Sequence, residues 1–378
     1  MVMKVEDTLA ELVAIDSVSA NSNLEIVKLL SARLERLGMC GRMYPYTDDK
    51  GVKKFNLVMV HPKTVEDGGH IELALVGHTD TVPFDPNWVE ATTLIERDGK
   101  LYGRGACDTK GFIAAALTAI SSIDLKSLRR PLALIFTADE EIGLIGAKRL
   151  AQAKPLTARY SIVGEPTSLR PMRAGKGYCL AEVVVRGREA HSAYPALGAS
   201  AISRAALVIT RIDKVSEELR GEQHQSFDPP FTTANVGLIH GGTAKNVIPG
   251  ECRFTLEWRP IPGQDAYRFL DMLNAEIAKA RGMDPDFECV VDADRADGGF
   301  ETSPESPLVK MLEEYTGQAA GTVAFGTEAA QMIELGAEAV VMGPGDIRVA
   351  HRTGEYVPKA DLNRCVEVLQ KAITTLCG

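Results

Sequence analysis

The sequence predicts an α/β fold, a mixed sheet with helices on both faces, interrupted by a smaller inserted α+β domain. Three observations carry that reading. Short apolar runs alternate with stretches of helical spacing. Each of those runs ends in a polar cluster. The middle of the chain follows a different order: strand, helix, two strands, helix, strand. The length agrees, since 378 residues correspond to about two domains at roughly 100–200 residues each.

Residues 22–25 read Ser-Asn-Leu-Glu, the pattern of a capping box. Ile26, Leu29, Leu30, Leu34 and Leu37 then recur at helical spacing, and Gly38 ends the helix. The apolar runs are 71–76, ending in GHTDTVP; 132–137, ending in ADEE; 160–163, ending in GEPT; and 339–343, ending in a long loop that contains His351. Helical stretches at 111–122, 142–153 and 327–335 lie between them. Strands that are apolar throughout need cover on both faces. In open α/β sheets, ligands bind beyond the carboxyl ends of the strands, where all four polar clusters fall.

The inserted domain is expected near 176–295, leaving 1–175 and 296–378 as one discontinuous domain. Its strands are read at 178–187, 232–239, 251–259 and 286–293. Helices are read near 199–220 and at 264–281, the second closed by Gly282. No internal repeat or low-complexity tract is seen.

There are 42 Lys plus Arg against 51 Asp plus Glu, a net charge of −9. So acidic a chain is a poor partner for nucleic acid or an anionic membrane. No apolar run approaches the roughly 18 residues of a membrane span. The first residues, MVMKVEDTLAELVAID, carry early acids and no apolar signal region. The seven Cys are scattered, with no CxxC pair, which is neither a disulfide framework nor a thiolate zinc site. A reduced, cytoplasmic setting is expected.

Seven side chains stand out in the polar segments. His78 and Asp80 share a face if the segment is extended, so Asp80 is placed to orient the imidazole. Asp108 lies in GRGACDTKGF before an Ala-rich helix, where a carboxylate either caps the helix or ligates a metal. Glu140 and Glu141 are adjacent carboxylates flanked by apolar sequence, and a cation would compensate their burial. Glu165 follows an apolar strand, and His351 sits in a glycine-rich loop. His61, His70, His224 and His240 read as ordinary surface histidines. Together His78, Asp108, Glu141, Glu165 and His351 supply two imidazoles and three carboxylates. One bridging carboxylate gives two sites of three protein ligands each, the pattern of catalytic zinc. Three carboxylates against two divalent ions leave about +1, and a bridging hydroxide brings that to about zero. The balance suits a two-metal hydrolase using Zn, Co or Mn. Cys107 reads as a small packed residue, since the ligand set is complete without it.

Five segments, GHTDTVP (77–83), GRGACDTKGF (103–112), TADEEIGLIGA (137–147), VGEPT (163–167) and AHSAYP (190–195), resemble in order those of the M20 family of metallopeptidases and amidohydrolases. The stretches NVIPGECRFTLEWRPIPG (246–263), FGTEA (325–329) and GPG (343–345) resemble its deacetylase branch more than its desuccinylase branch. The resemblance implies a zinc-exopeptidase-like catalytic domain and an inserted ferredoxin-like dimerisation or lid domain, the chain acting as a homodimer. It implies one zinc on His78, Asp108 and Glu165 and a second on Asp108, Glu141 and His351, with Asp108 bridging. Glu140 would be the general base and Asp80 would orient His78. His191 would reach the partner subunit's site and bind the oxyanion, with Asn246 beside it. Arg259 would pair with the substrate carboxylate, and Gly326 and Thr327 would line the pocket. A cis peptide is expected at Asp108–Thr109. The implied reaction is hydrolysis of an N-acyl amino acid, with N-acetyl-L-ornithine as the expected substrate. N-succinyl-diaminopimelate, N-acetylcitrulline or a dipeptide are the alternatives, and a non-catalytic binding protein on the same fold is the remaining one.

Overall fold

The computed structural model describes residues 4–65, 69–283 and 287–378. The chain forms two compact units. One is Met1–Arg173 with Thr302–Gly321 and Thr327–Gly378, and the other is Ala174–Glu301 with Thr322–Gly326.

The first unit is built on a mixed sheet. Its strands lie in the order Cys40–Thr47, Lys53–Val60, Leu132–Thr137, His70–His78, Thr157–Val163, Glu338–Val341. Cys40–Thr47 and Lys53–Val60 are antiparallel, as are Lys53–Val60 and Leu132–Thr137. The last four strands run parallel to one another. Leu73, Leu75, Leu134, Phe136 and Ile162 point into one large core. The helices Val5–Val13, Leu24–Arg36, Lys110–Ser121 and Lys359–Cys377 complete that core. The alternate residues Ala74, Val76, Ala133 and Ile135 are equally buried but lie outside it, hence on the opposite face. The helices Ile145–Ala153 and Ala329–Glu334 pack against strands of the same sheet without joining that core. The apolar runs thus reflect a sheet buried on both sides.

The second unit has the order strand Tyr178–Arg186, helix Ala201–Leu219, strands Thr233–Gly241 and Glu251–Arg259, helix Arg268–Met283, strand Glu288–Asp297. In space the strands run Thr233–Gly241, Glu251–Arg259, Tyr178–Arg186, Glu288–Asp297, all antiparallel. That is a ferredoxin-like sheet. Val183, Val185, Phe254, Leu256 and Trp258 meet Val208, Ile212, Phe269 and Leu273 in a separate core. Trp258 stacks on Phe269 with ring centroids 5.9 Å apart.

Several expectations differ from the structure. The capping box does not form: helix Leu24–Arg36 has no side-chain cap. Ser22 instead donates to Lys53 O, while Asn23 bonds Phe55 O and Thr79 Oγ1, tying the helix start to the sheet. The helix expected from 142 begins at Ile145, because Asp139, Gly143 and Leu144 take positive φ and turn the chain first. Gly282 lies inside its helix. The last strand begins at Glu288, and residue 286 lies outside the described residues. The second unit is wider than 176–295, since Phe300–Glu301 pairs with Ala174–Gly175 and Arg259 donates to Ala324 O. His61 is buried, with Nε2 2.9 Å from Leu125 O. No helix among the described residues is long and apolar enough to cross a membrane, and all seven cysteines are free.

Candidate metal centre

The parallel strands of the first unit deliver chemistry at their carboxyl edge. His78 is the last residue of its strand. Thr79 then bonds Thr137 O through both its backbone N–H (2.9 Å) and its hydroxyl (2.7 Å), joining the ends of two neighbouring strands. Glu140 and Glu141 follow strand Leu132–Thr137, Glu165 follows Thr157–Val163, and His351 lies beyond Glu338–Val341. Asp108 ends the glycine-rich segment just before helix Lys110–Ser121, and the Asp108–Thr109 peptide is cis.

These side chains converge. His78 Nε2 lies 3.0 Å from Asp108 Oδ1, and His351 Nε2 lies 3.1 Å from Asp108 Oδ2. The two oxygens of one carboxylate are therefore divided between two imidazoles. His351 Nε2 is also 3.0 Å from Glu141 Oε2. His78, Asp108 and Glu141 offer ligand atoms all within 4.8 Å of one another. Glu165 is buried, and no hydrogen bond among the described residues reaches its carboxylate. A group of buried acids with two imidazoles and few donors fits a divalent cation.

The electrostatics follow from that crowding. Burial, reinforced by neighbouring carboxylates, pushes Glu140 and Glu165 well above the usual carboxyl range, and burial raises Glu141. Burial opposes charge on Asp108, yet the hydrogen bonds from His351 and His78 hold its carboxyl well down. Burial also opposes charge on His78, but Asp108 and Glu140 outweigh it and raise that imidazole. His351, half-exposed, is raised to about 10 by hydrogen bonds to Asp108 and Glu141.

Asp80 takes a different part from the one expected. His78 Nδ1 lies 3.0 Å from the main-chain oxygen of Asp80 and 3.7 Å from its carboxylate. The carboxylate instead accepts the backbone N–H groups of Glu140 (3.1 Å) and Glu141 (3.3 Å) and the hydroxyl of Ser19 (2.7 Å). One carboxylate thus holds the turn that presents both glutamates.

Below that turn lies a group the motifs did not reveal. Lys54, 1% exposed, donates to Asp139 Oδ1 (2.9 Å), to Asn21 O (2.9 Å) and to Ser19 O. Tyr46 donates to the other Asp139 oxygen at 2.8 Å. Two polar residues, Lys54 and Asn56, on the buried face of strand Lys53–Val60 were the available signal. Glu328, 1% exposed, accepts from Thr137 Oγ1, and its Oε2 has no partner among the described residues. Burial raises its carboxyl to about 7. Its sequence signal is its place in FGTEA, directly after Gly326 and Thr327. Thr327 is buried, with its hydroxyl 3.3 Å from the Ala329 amide. Cys107 is buried, with Sγ 3.6 Å from Asp346 O.

The other expected residues belong to the second unit. His191 is exposed and pairs with Val247 in a two-residue ladder, which sets it beside Asn246. Ser192 N donates to Asn246 O at 3.0 Å. The Ala193 N–H donates to His191 Nδ1 at 3.0 Å, so the neutral ring carries its proton on Nε2. Arg259 bonds Glu257 (2.8 Å) and Ala324 O (2.7 Å), and its guanidinium lies 4.6 Å from the centre of the Tyr178 ring. Gly326 also belongs to this unit, and an added Cβ would meet Tyr178 and Arg295 at 3.3–3.4 Å.

The fold and this cluster define a metal-dependent hydrolase. The chain belongs to Peptidase family M20/M25/M40, whose model matches residues 74–375. It is 53% identical over 372 residues to an acetylornithine deacetylase of Myxococcus xanthus, covering 98% of this chain and 97% of that one. It is 34% identical over 375 residues to an acetylornithine deacetylase of Klebsiella pneumoniae (strain 342), covering 97% and 96%. Among solved structures, a tripeptidase from Staphylococcus aureus superposes with a TM-score of 0.78 at 24% identity, covering 98% of this chain and 97% of that one. At that identity the last likeness speaks for the fold alone.

Proposed function

We propose that this chain hydrolyses the amide bond of N-acetyl-L-ornithine, releasing L-ornithine and acetate, in the cytoplasmic synthesis of arginine. The observation that carries the chemistry is the division of the two Asp108 oxygens between His78 and His351. The substrate rests on whole-length similarity to proteins named acetylornithine deacetylase.

Two divalent ions, zinc first, would be held by His78, Asp108 and Glu165 and by Asp108, Glu141 and His351. When bound, such a pair polarises the acyl carbonyl and lowers the pKa of water toward about 7. Glu140 takes the proton of the attacking water and returns it to the leaving amine. Burial raises its carboxyl, which favours taking up the proton before handing it to the amine. Asp80 keeps the Glu140–Glu141 turn in place through two backbone N–H groups.

In the second unit, the proton on His191 Nε2 supplies a donor for the oxyanion, with Asn246 beside it. Arg259, braced by Glu257 and the Tyr178 ring, suits a substrate carboxylate. Gly326 and Thr327 would line the pocket. The unit near 176–295 would serve as a dimerisation and lid domain. Its edge strand Thr233–Gly241 exposes Leu238 (60%) and Ile239 (49%), consistent with a homodimer. His191 would then act on the partner's site.

The test is amine release from N-acetyl-L-ornithine and N-succinyl-diaminopimelate, side by side, by chelated protein with and without added zinc or cobalt. Metal-dependent turnover of the acetyl substrate alone is expected. Turnover of the succinyl substrate alone would keep the chemistry and refute the substrate.

A further inference from the structure

Glu355 is a buried acid close to the metal centre that no part of the mechanism uses. It is 1% exposed and lies four residues beyond His351. Its Oε1 accepts the backbone N–H of Cys107 and that of Asp108, each at 3.0 Å. Its Oε2 takes Nη1 of Arg104 at 2.6 Å, and Arg104 is only 4% exposed. Arg104 Nη2 donates to Pro83 O at 3.2 Å, in the segment that carries His78 and Asp80. Its backbone N–H bonds Ala91 O, and its guanidinium lies 5.3 Å from the centre of the Trp88 ring. The main chain follows the same course. Gly103 N donates to Glu355 O at 3.1 Å, and Tyr356–Pro358 pairs with Lys100–Tyr102.

All the oxygens of Glu355 are therefore spent on protein donors, which separates it from Glu165, whose carboxylate receives none among the described residues. A buried ion pair is a poor stabiliser by itself, because desolvation offsets much of the attraction. This one joins three segments whose relative position decides whether a metal fits: 78–83, 104–108 and 351–355. Asp108 must present one oxygen to each side of the centre, and its own backbone N–H is fixed by the residue that follows the His351 loop.

We propose that Arg104 and Glu355 form a positioning pair for the metal centre, setting the Asp108 carboxylate against His351 on one side and His78 on the other. The inference rests on the two-metal reading above. It assigns no ligand or proton-transfer role to either residue. Removal of an outer-sphere partner of this kind typically weakens metal binding about 10–100-fold.

The experiment titrates Co²⁺ into chelated wild type, Glu355→Gln and Arg104→Lys. Calorimetry gives stoichiometry and affinity, and the visible Co²⁺ spectrum reports ligand geometry. Thermal melts of the metal-free proteins report folding. Glu355→Gln keeps an acceptor oxygen but turns an N–H₂ toward donors, and Arg104→Lys keeps the cation but loses the fork. The expected result is a cooperative melt in both variants, at least one Co²⁺ equivalent weakened about 10–100-fold, and an altered spectrum. Arg104→Lys should lose less than Glu355→Gln, since the two N–H bonds to Glu355 survive. Unchanged affinity and spectrum in either folded variant would overturn the proposal. Failure of both variants to fold would also overturn it, by making the pair a general stability element. Wild type that binds fewer than two equivalents would instead defeat the two-metal reading, and that outcome is distinct from either.

Discussion

Glu328 gives the sharpest test of the electrostatics around the centre. It is buried, held at one oxygen by Thr137, and without a partner at the other among the described residues. Burial moves its carboxyl from 4.5 to about 7, opposed by His78 and by the Thr137 hydrogen bond. The folded state therefore keeps this proton to higher pH than the unfolded chain does. Stability from this group is fully present below about pH 4.5 and falls as pH rises, and it is lost once pH passes about 7. At about 1.4 kcal/mol per pH unit, the loss amounts to roughly 3 kcal/mol. Glu328→Gln mimics the protonated form at every pH. In chelated protein the variant should match wild type near pH 4.5 and exceed it above pH 7. The gain at pH 8 should be roughly 6–12 °C in melting temperature, at about 2–4 °C per kcal/mol for a unit of this size. Subtracting the two stability curves removes the groups that do not feel Glu328, and leaves Glu328 together with its coupling to Glu140, Glu165 and His78. A flat difference between pH 4.5 and 8 would refute a buried carboxyl whose second oxygen lacks a partner among the described residues.

Three further outcomes bear on the proposed chemistry. Glu140→Ala should retain both metal equivalents by elemental analysis while turnover falls about 100–10,000-fold, and undiminished turnover would remove Glu140 as base. Asp108→Ala should lose metal as well as activity, because two imidazoles lose their shared carboxylate; two equivalents still bound would refute the bridging role. His191→Ala should lower kcat about 100–1000-fold with little change in KM, and a change confined to KM would mark ordinary substrate binding instead.

What the sequence disclosed and what it withheld divide along a physical line. Strands apolar on both faces announce themselves, so 71–76 and 132–137 were legible, and with them the sheet edge where His78 and Glu141 appear. The second unit shows a different pattern, since Tyr178–Arg186 and Glu251–Arg259 bury every second residue. Local capping was less legible. Ser22-Asn23 carries a helix-start pattern, but the sheet offered Asn23 partners at Phe55 and Thr79, and those tertiary bonds won. Asp80 shows the same competition, its carboxylate drawn to the Glu140–Glu141 backbone, which no spacing within GHTDTVP could reveal.

Ligands can be read from sequence because metal chemistry restricts them to a few residue types at strand ends. The residues that hold ligands are not so restricted. Arg104 and Glu355 lie 251 positions apart, and each is one of many ordinary charged residues until the fold closes. Lys54 and Asp139 are 85 apart. Each pair acts on backbone groups or on the turn beside a ligand, so only three-dimensional proximity distinguishes it from a solvated surface charge. A centre of several mutually repelling carboxylates needs such restraints, because nothing in its own charges favours convergence before the metal arrives. Asp80, Glu355 and Lys54 are accordingly all committed to protein donors or acceptors, while the Glu165 carboxylate receives no donor among the described residues. The committed groups hold the backbone from which the acids project, so that the cluster is shaped before any cation binds.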